Sequence, residues 1–363
     1  MRKKAVVAMS GGVDSSVAAA MLVDQGYDVT GIMLKLWRGE TANTNSGCCN
    51  LGAAEDARRV ADVLDIPFYV LNFAGRFEDT VIADFHAQYA AGRTPNPCVR
   101  CNQWIKFDAL LDRAGALGAD VLATGHYARV RNHRGRYRLY RGRDYGKDQS
   151  YVLWMLTQAE LGRACFPVGE MHKTETRRVA AELGLRTATK PDSQEICFVR
   201  GGDLGAYVEG NIPEATRPGP IVDSGGRVVG RHRGVAHYTV GQRRGLGISL
   251  GVPVFVSGID AESNTVTVGA RDDLAVDGFS TVETSYVGGP LPPGRRVLVQ
   301  HRAHGDAHPA TVVSSDGSLG LTFDEPVEAV ARGQSAAFYS TGAPDELLGG
   351  GVIASTTPAP VRA

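Results

Sequence analysis

The sequence predicts an α/β fold: an N-terminal domain built on a parallel sheet, followed by two small β-rich domains. Two observations carry this expectation. Strand-like and helical patterns alternate from residue 5 to about residue 200, and that alternation demands crossover units with helices on both faces of a sheet. After that point "EGNIPEATRPGPIVDSGGRVVG" is rich in Pro and Gly, and short Val-rich runs separated by turn pairs follow, a β-rich pattern. A chain of 363 residues is long enough for two or three domains, each with its own core. The boundaries expected are 1–202 for the parallel-sheet domain, 203–275 for a central β-rich domain and 276–363 for a β-barrel-like domain with a disordered tail.

In chain order, Ala5 to Met9 reads as a buried strand, and Val17, Ala20, Met21 and Val23 begin a helical face that Gly26 stops. Val29 to Leu34 is a second strand, and Ala57, Val60, Ala61 and Leu64 fall at helical spacing. "PFYVLNF" follows as a strand, with helices expected across Phe77 to Ala91 and Gln103 to Leu117, "ADVLATGHYARV" as strand, and "TETRRVAAELGL" as one more helix. In the β-rich part, "PVFVSGIDAESNTVTVG" and "RRVLVQHRAHGDAHPATVVSSDGSLGLTF" read as successive hairpins, and "TTPAPVRA" as a disordered tail. No internal repeat is found.

Charge excludes little over the whole chain, since 39 Lys and Arg balance 39 Asp and Glu. Its placement says more: Arg93 to Lys147 holds twelve Lys and Arg against four Asp, which suits a phosphate-rich partner on one part of the surface. Within it, "RVRNHRGRYRLYRGRDYGKDQS" alternates Arg with Tyr and aliphatic residues, the pattern of a strand pair with an outward cationic face. No signal peptide and no apolar run of membrane-spanning length is seen, so a cytoplasmic location without membrane attachment is expected. Six cysteines are too sparse for a disulfide scaffold, which leaves free, catalytic or metal-bound thiols.

The opening "AVVAMSGGVDSSVAAAM" joins a strand directly to a helix through a Gly-rich turn. That junction aims backbone N–H groups at an anion, and Gly11 and Gly12 let the backbone approach phosphate oxygens. Ser10, Ser15 and Ser16 add hydroxyls, whereas Asp14 must either orient the loop or hold magnesium. There is no G-x-x-x-x-G-K-[ST] sequence, and "GLGISLG" has the wrong spacing for a dinucleotide fingerprint. SGG-x-DS after a first strand resembles the pyrophosphate loop of the ATP pyrophosphatases (PP-loop enzymes). The resemblance implies an adenine nucleotide alpha hydrolase-like domain that cleaves ATP between the α and β phosphates and adenylates a substrate oxygen.

"AGRTPNPCVRCNQWIKFDALL" and "ATKPDSQEICFV", with "ATGHYAR", "KDQSYVLW" and "HYTVGQRRGLGI", narrow the substrate. Cys101 lies just before an expected helix, between Arg100 and Lys106, a setting that lowers a thiol pKa. Cys197 meets it only if the fold joins the two loops, while Cys165 reads as a small buried hydrophobe. These five ordered motifs closely resemble the tRNA-specific 2-thiouridylases, from about Ala5 to Tyr339.

That resemblance implies replacement of the C2 oxygen of the wobble uridine by sulfur, with AMP and pyrophosphate released. It implies Cys101 as nucleophile and Cys197 as the persulfide-bearing cysteine, able to close a Cys101–Cys197 disulfide. ATP contacts carry over to Ala8, Met9, Ser10, Gly11, Gly12, Val13, Asp14 and Ser15, with Leu34 at the adenine pocket and Gly125 at the nucleotide. Contacts to the tRNA anticodon stem-loop carry over to Asn96, Pro97, Cys98, His126, Lys147, Asp148, Gln149, Gln300, His301 and Gln334. ATP with Mg2+ and a sulfur-donor protein, such as a cysteine desulfurase or relay, complete the expectation. Many relatives have Asp where this chain has Cys98, so a second sulfur route stays open: a 4Fe-4S cluster on Cys98, Cys101 and Cys197. Cys48 and Cys49 receive no role. The competing readings are another adenylating enzyme acting on a different RNA base or a small metabolite, and a non-catalytic RNA-binding module.

Overall fold

The computed structural model describes residues 2–36, 51–192, 196–315 and 318–360. Cys48 and Cys49 lie outside the described residues. The chain divides into two compact units: Met1–Ile82, Pro97–Gly202 and Asp345–Leu348 form the first, and Ala83–Asn96, Asp203–Pro344 and Gly349–Ala363 the second.

In the first unit, β1 (Lys4–Ala8), α1 (Val13–Asp24), β2 (Asp28–Lys35), α2 (Leu51–Val63), β3 (Phe68–Asn72), β4 (Val121–Ala123) and, further on, β7 (Ala164–Cys165) build the sheet and two of its covering helices. The strand order is β3-β2-β1-β4-β7, and each pairing is parallel. Chain progression runs outward from β1 in one direction to β3 and later in the other to β4 and β7. The carboxyl end of β1 therefore sits at the switch point, where open α/β sheets form a ligand crevice. Val7, Met9, Val13, Val17, Ala18, Leu22, Ala57 and Ala123 belong to one buried cluster beneath that end. Small residues along α1 allow the helix Lys173–Glu182 to pack against it.

"ADVLATGHYARV" is not one strand: β4 stops at Ala123, and β5 (Ala128–His133) starts after the Thr124–Tyr127 corner. β5 pairs antiparallel with β6 (Arg136–Arg141), matching Arg131 with Arg138, as the Arg/Tyr alternation predicted. The helix expected from Gln103 begins earlier, running through Pro97–Arg100, the π-helical Cys101–Leu110 and Leu111–Ala116. Proline is favoured in a helix's first turn because its missing N–H would be unpaired there anyway.

In the second unit, β8 (Gly219–Val222), β9 (Val228–His232), β10 (Phe255–Asp260) and β11 (Thr265–Gly269) form a sheet of order β10-β11-β8-β9. β12 (Ala275–Tyr286), β13 (Arg296–Gln300), β14 (Ala307–Ser314), β15 (Leu319–Glu328), β16 (Ser335–Ser340) and β17 (Glu346–Pro358) follow. Their order β12-β15-β14-β13-β16-β17 closes through the β12–β17 pairing. The closed ring leaves no open edge among these strands. The tail expectation is corrected here, because Thr357 pairs with Gly278 and Pro358 with Val276. Polar, Pro-containing residues become strand because β12 offers them an unfilled edge.

Phe338 on β16 is fully buried in this unit. Phe338→Ala is expected to cost about 3–5 kcal/mol, read as a lower urea midpoint; an unchanged midpoint would show that β16 does not face a core.

Candidate active site

The turn after β1 is shaped by two close approaches. Gly11 has φ +69, and a Cβ there would lie 2.2 Å from the Ala53 carbonyl oxygen of α2. A Cβ on Gly125, in the corner after β4, would lie 2.6 Å from the Ser15 nitrogen. Neighbouring strand ends thus press their loops onto the first turn of α1. Ser15 Oγ accepts from the Ser10 N–H at 3.1 Å and donates to the Gly12 carbonyl at 3.2 Å, and Ser16 Oγ donates to the same carbonyl at 2.8 Å. The hydroxyls stiffen the turn, and α1 has no side-chain cap on its first N–H groups, which suits an anion. Ala8 and Gly12 are half-buried, Met9 and Val13 buried and Ser10 exposed. Leu34 sits next to them on β2, 9% exposed.

Asp14 orients the turn. Lys173 Nζ donates to its two carboxylate oxygens at 2.7 and 2.8 Å, and the Tyr127 hydroxyl donates at 2.9 Å. Burial, followed by the Asp14 charge, raises the Tyr127 pKa and keeps that hydroxyl a donor. The same ammonium lies 2.8 Å from Asp192, which also receives Lys147 at 2.8 Å and Arg177 at 3.0 Å. Partial burial alone would raise the Asp192 pKa, but hydrogen bonds and charges from Lys147 and Lys173 bring it down to about 2. Lys190 Nζ donates to the Gly11 carbonyl at 2.9 Å and to Asp56 at 2.8 Å. Sequence reasoning missed Lys173 and Lys190 as residues bonded to the turn, and Asp192 as the carboxylate behind Lys173. "KPDSQEIC" was read only for its cysteine, and nothing local distinguishes Lys173 from a surface lysine.

The three thiols lie in the same unit. Cys98 is exposed, and Cys101, one helical turn on, is half-buried. Because the helix begins at Pro97, Cys101 lies inside it rather than just before it. The Arg100 guanidinium stacks 4.6 Å over Trp104, and Lys106 donates to Asn102 at 2.9 Å. Cys197 is half-buried, and its neighbour Phe198 packs edge-on against Phe77 at 5.9 Å. The Ala74–Phe77 helix in turn packs beside Cys101–Leu110. From Asp192 to Cys197 is five residues, a span of at most roughly 18 Å. Among the described residues no group of three or more His, Cys, Asp or Glu side chains is placed to hold a metal ion.

Several residues expected at RNA have internal partners. His126 is buried, with Nδ1 2.7 Å from the Thr124 hydroxyl, and burial, then the Lys106 charge, push its pKa well below the usual value. Asp148 accepts from Arg141 at 2.7 Å and from the Gly142 and Ser150 N–H groups at 3.0 Å. Gln149 accepts from the Tyr127 N–H at 3.0 Å. Lys147 is half-exposed. Asn96 is half-buried and Pro97 buried. In the second unit, Gln334 donates to the Thr94 carbonyl at 2.9 Å, and Gln300 and His301 are buried, with Gln300 Oε1 and His301 Nδ1 finding no hydrogen-bond partner among the described residues.

The cationic hairpin is also less basic than its sequence. Arg129 pairs with Asp345 at 2.8 Å, Arg131 with Glu170 at 3.0 Å and Arg138 with Glu346 at 3.2 Å. A count along the chain cannot see acids brought in from far away. Exposed pairs such as Arg131–Glu170 contribute about 0.2–1 kcal/mol, so phosphate can displace that carboxylate. The enclosed Arg141–Asp148 pair cannot be exchanged without stranding a charge.

Two outcomes are expected. Gly11→Ala abolishes ATP binding in calorimetry, since the residue would need both an unfavourable φ and space occupied by Ala53; retained affinity would remove this turn from the nucleotide site. His301, pushed by burial and then by Arg302 and His308 down to about 4, stays neutral when folded while the unfolded chain takes up a proton near its ordinary value. Its contribution to stability is therefore complete above that value and declines as pH falls toward 4, whereas His301→Gln should flatten that part of the pH–stability curve.

A family model described as the tRNA methyl transferase HUP domain matches residues 3–201. The tRNA methyl transferase PRC-barrel domain matches 206–270 and the aminomethyltransferase beta-barrel domain 276–353. The chain is 49% identical over 356 residues to the tRNA-specific 2-thiouridylase MnmA of Moorella thermoacetica, covering 96% of this chain and 99% of that protein. It is 47% identical to the protein of that name from Roseiflexus sp., covering 97% and 99%, and 45% identical to that from Natranaerobius thermophilus, covering 98% and 99%. With a Gly-rich anion turn at the sheet's switch point and this likeness along nearly its whole length, the chain belongs to the tRNA-specific 2-thiouridylase family.

Proposed function

We propose that this protein thiolates C2 of the wobble uridine in tRNA anticodons at the expense of ATP. The uracil C2 oxygen attacks the α phosphorus, pyrophosphate leaves, and C2 carries AMP as a leaving group. The terminal sulfur of a persulfide on Cys197 then attacks C2 and displaces AMP. Attack by the Cys101 thiolate on the Cys197 sulfur releases 2-thiouridine and forms a Cys101–Cys197 disulfide, which an external dithiol reduces. A donor protein with a transferable sulfur reloads Cys197. This route needs two thiols and no cluster. ATP would bring its magnesium as part of the substrate; both Asp14 oxygens accept from Lys173, so phosphate oxygens and water would supply the metal's ligands.

The observation that supports this reading most is the cradle's connection to Cys197. Lys190 bonds the Gly11 carbonyl, and seven residues later in the chain comes Cys197. Amide-forming relatives of PP-loop enzymes need no such thiol. Gly11, Gly12 and the start of α1 would stabilise charge on the departing phosphate, and a base must leave its stack to reach them. For the RNA, exposed Arg131, Arg134, Arg136 and Arg143 supply exchangeable charge.

Pyrophosphate release that depends on added tRNA is expected, and release without tRNA or not at all would overturn the reading. Cys101→Ser should abolish 2-thiouridine formation, measured by nucleoside mass spectrometry, while tRNA affinity is kept; a variant that still thiolates refutes the nucleophile assignment. Affinity for tRNA should fall steeply with salt, and a flat salt response would exclude the basic hairpin as docking face.

A further inference from the structure

We propose that Asp192 is a positioning residue for sulfur transfer: it fastens the segment that carries Cys197 to the phosphate cradle through Lys173. The proposal rests on the function just given and assigns a role within it.

Three cations from separate parts of the first unit converge on this one carboxylate. Lys147 arrives from the loop after the basic hairpin at 2.8 Å, while Lys173 and Arg177 come from one helix at 2.8 and 3.0 Å. Lys173 is 7% exposed and shares its ammonium with Asp14. A bridge thus runs Asp14–Lys173–Asp192 from the first turn of α1 to the chain leading into Cys197. Arg177 adds a second clamp, donating to the Ala188 carbonyl at 2.7 Å and the Lys190 carbonyl at 3.0 Å. Lys190 completes it from the other side through the Gly11 carbonyl. Both flanks of Pro191 are therefore tied to the cradle, Asp192 standing five residues before Cys197 in the chain.

Charge supports more than scaffolding. Lys147, Lys173 and Arg177 face Asp14 and Asp192, so the network carries a surplus positive charge beside the turn where a triphosphate would lie. A bound nucleotide would share the surplus charge while Lys173 still bridges Asp14 and Asp192, and Lys147 and Arg177 hold the same carboxylate. Adenylation uses the cradle itself, whereas sulfur transfer also needs Cys197 brought within bonding distance of C2. Loss of the anchor should therefore damage the second half-reaction selectively.

Asp192→Asn keeps the shape and removes the charge. With full-length enzyme, tRNA and a persulfide donor, 2-thiouridine formation is expected to fall about a hundredfold relative to pyrophosphate release, the scale of an ångström-sized misplacement. Asp192→Glu should recover part of that loss, and Arg177→Lys, which keeps charge but cannot bridge the carboxylate and two carbonyls together, should show a milder form of the split. If both half-reactions fall together with the melting temperature, or if neither changes in any of the three variants, Asp192 does not position sulfur transfer. A parent enzyme that releases no pyrophosphate with tRNA would overturn the functional reading and this proposal together; a working parent without the split overturns this proposal alone.

Discussion

The buried ammonium of Lys173, held between Asp14 and Asp192, is the interaction on which the active centre depends. Without it two carboxylates would face one another beside a turn meant for phosphate, and a buried pair that loses one partner typically costs about 3–5 kcal/mol. Lys173 makes an acidic residue in an anion-binding turn chemically sensible. It cancels the repulsion, fixes the Asp14 carboxylate against Tyr127, and leaves the N–H groups of α1 to the ligand.

The sheet supplies the place, and packing supplies the precision. Strand order β3-β2-β1-β4-β7 puts the ends of β1 and β4 side by side, and the missing side chains of Gly11 and Gly125 let α2 and the Thr124–Tyr127 corner close onto the turn. In the proposed site backbone and helix terminus would supply the affinity for phosphate, while charge balance at the turn comes from lysines distant in sequence. That division explains why the P-loop lysine pattern is absent although lysines are present at the site.

Much of this was legible in the sequence, because the strand–turn–helix at "VVAMSGGVDSS" and the Arg/Tyr alternation are local signals with a local cause. Partners joined only by folding were not legible. Asp345 and Glu346 arrive from the far end of the chain to neutralise the basic hairpin, and Lys173 reaches Asp14 across 159 positions. The early helix start at Pro97 was hidden because proline usually signals a break. The strand at Thr357 and Pro358 was hidden because only the open edge of β12 makes it one. Asp148 and Gln149 are named as RNA contacts by resemblance alone, and only folding shows that their side chains accept from the Gly142 and Tyr127 N–H groups.

The most direct measurement is a crystal structure with a non-hydrolysable ATP analogue. The triphosphate is expected against Gly11, Gly12 and Ser10, with the Lys173 ammonium still bridging Asp14 and Asp192 and the Cys197 sulfur opening onto the same crevice at the carboxyl end of β1. A nucleotide bound away from that turn, or a Cys197 thiol facing the opposite end of the sheet with the analogue in place, would contradict this expectation.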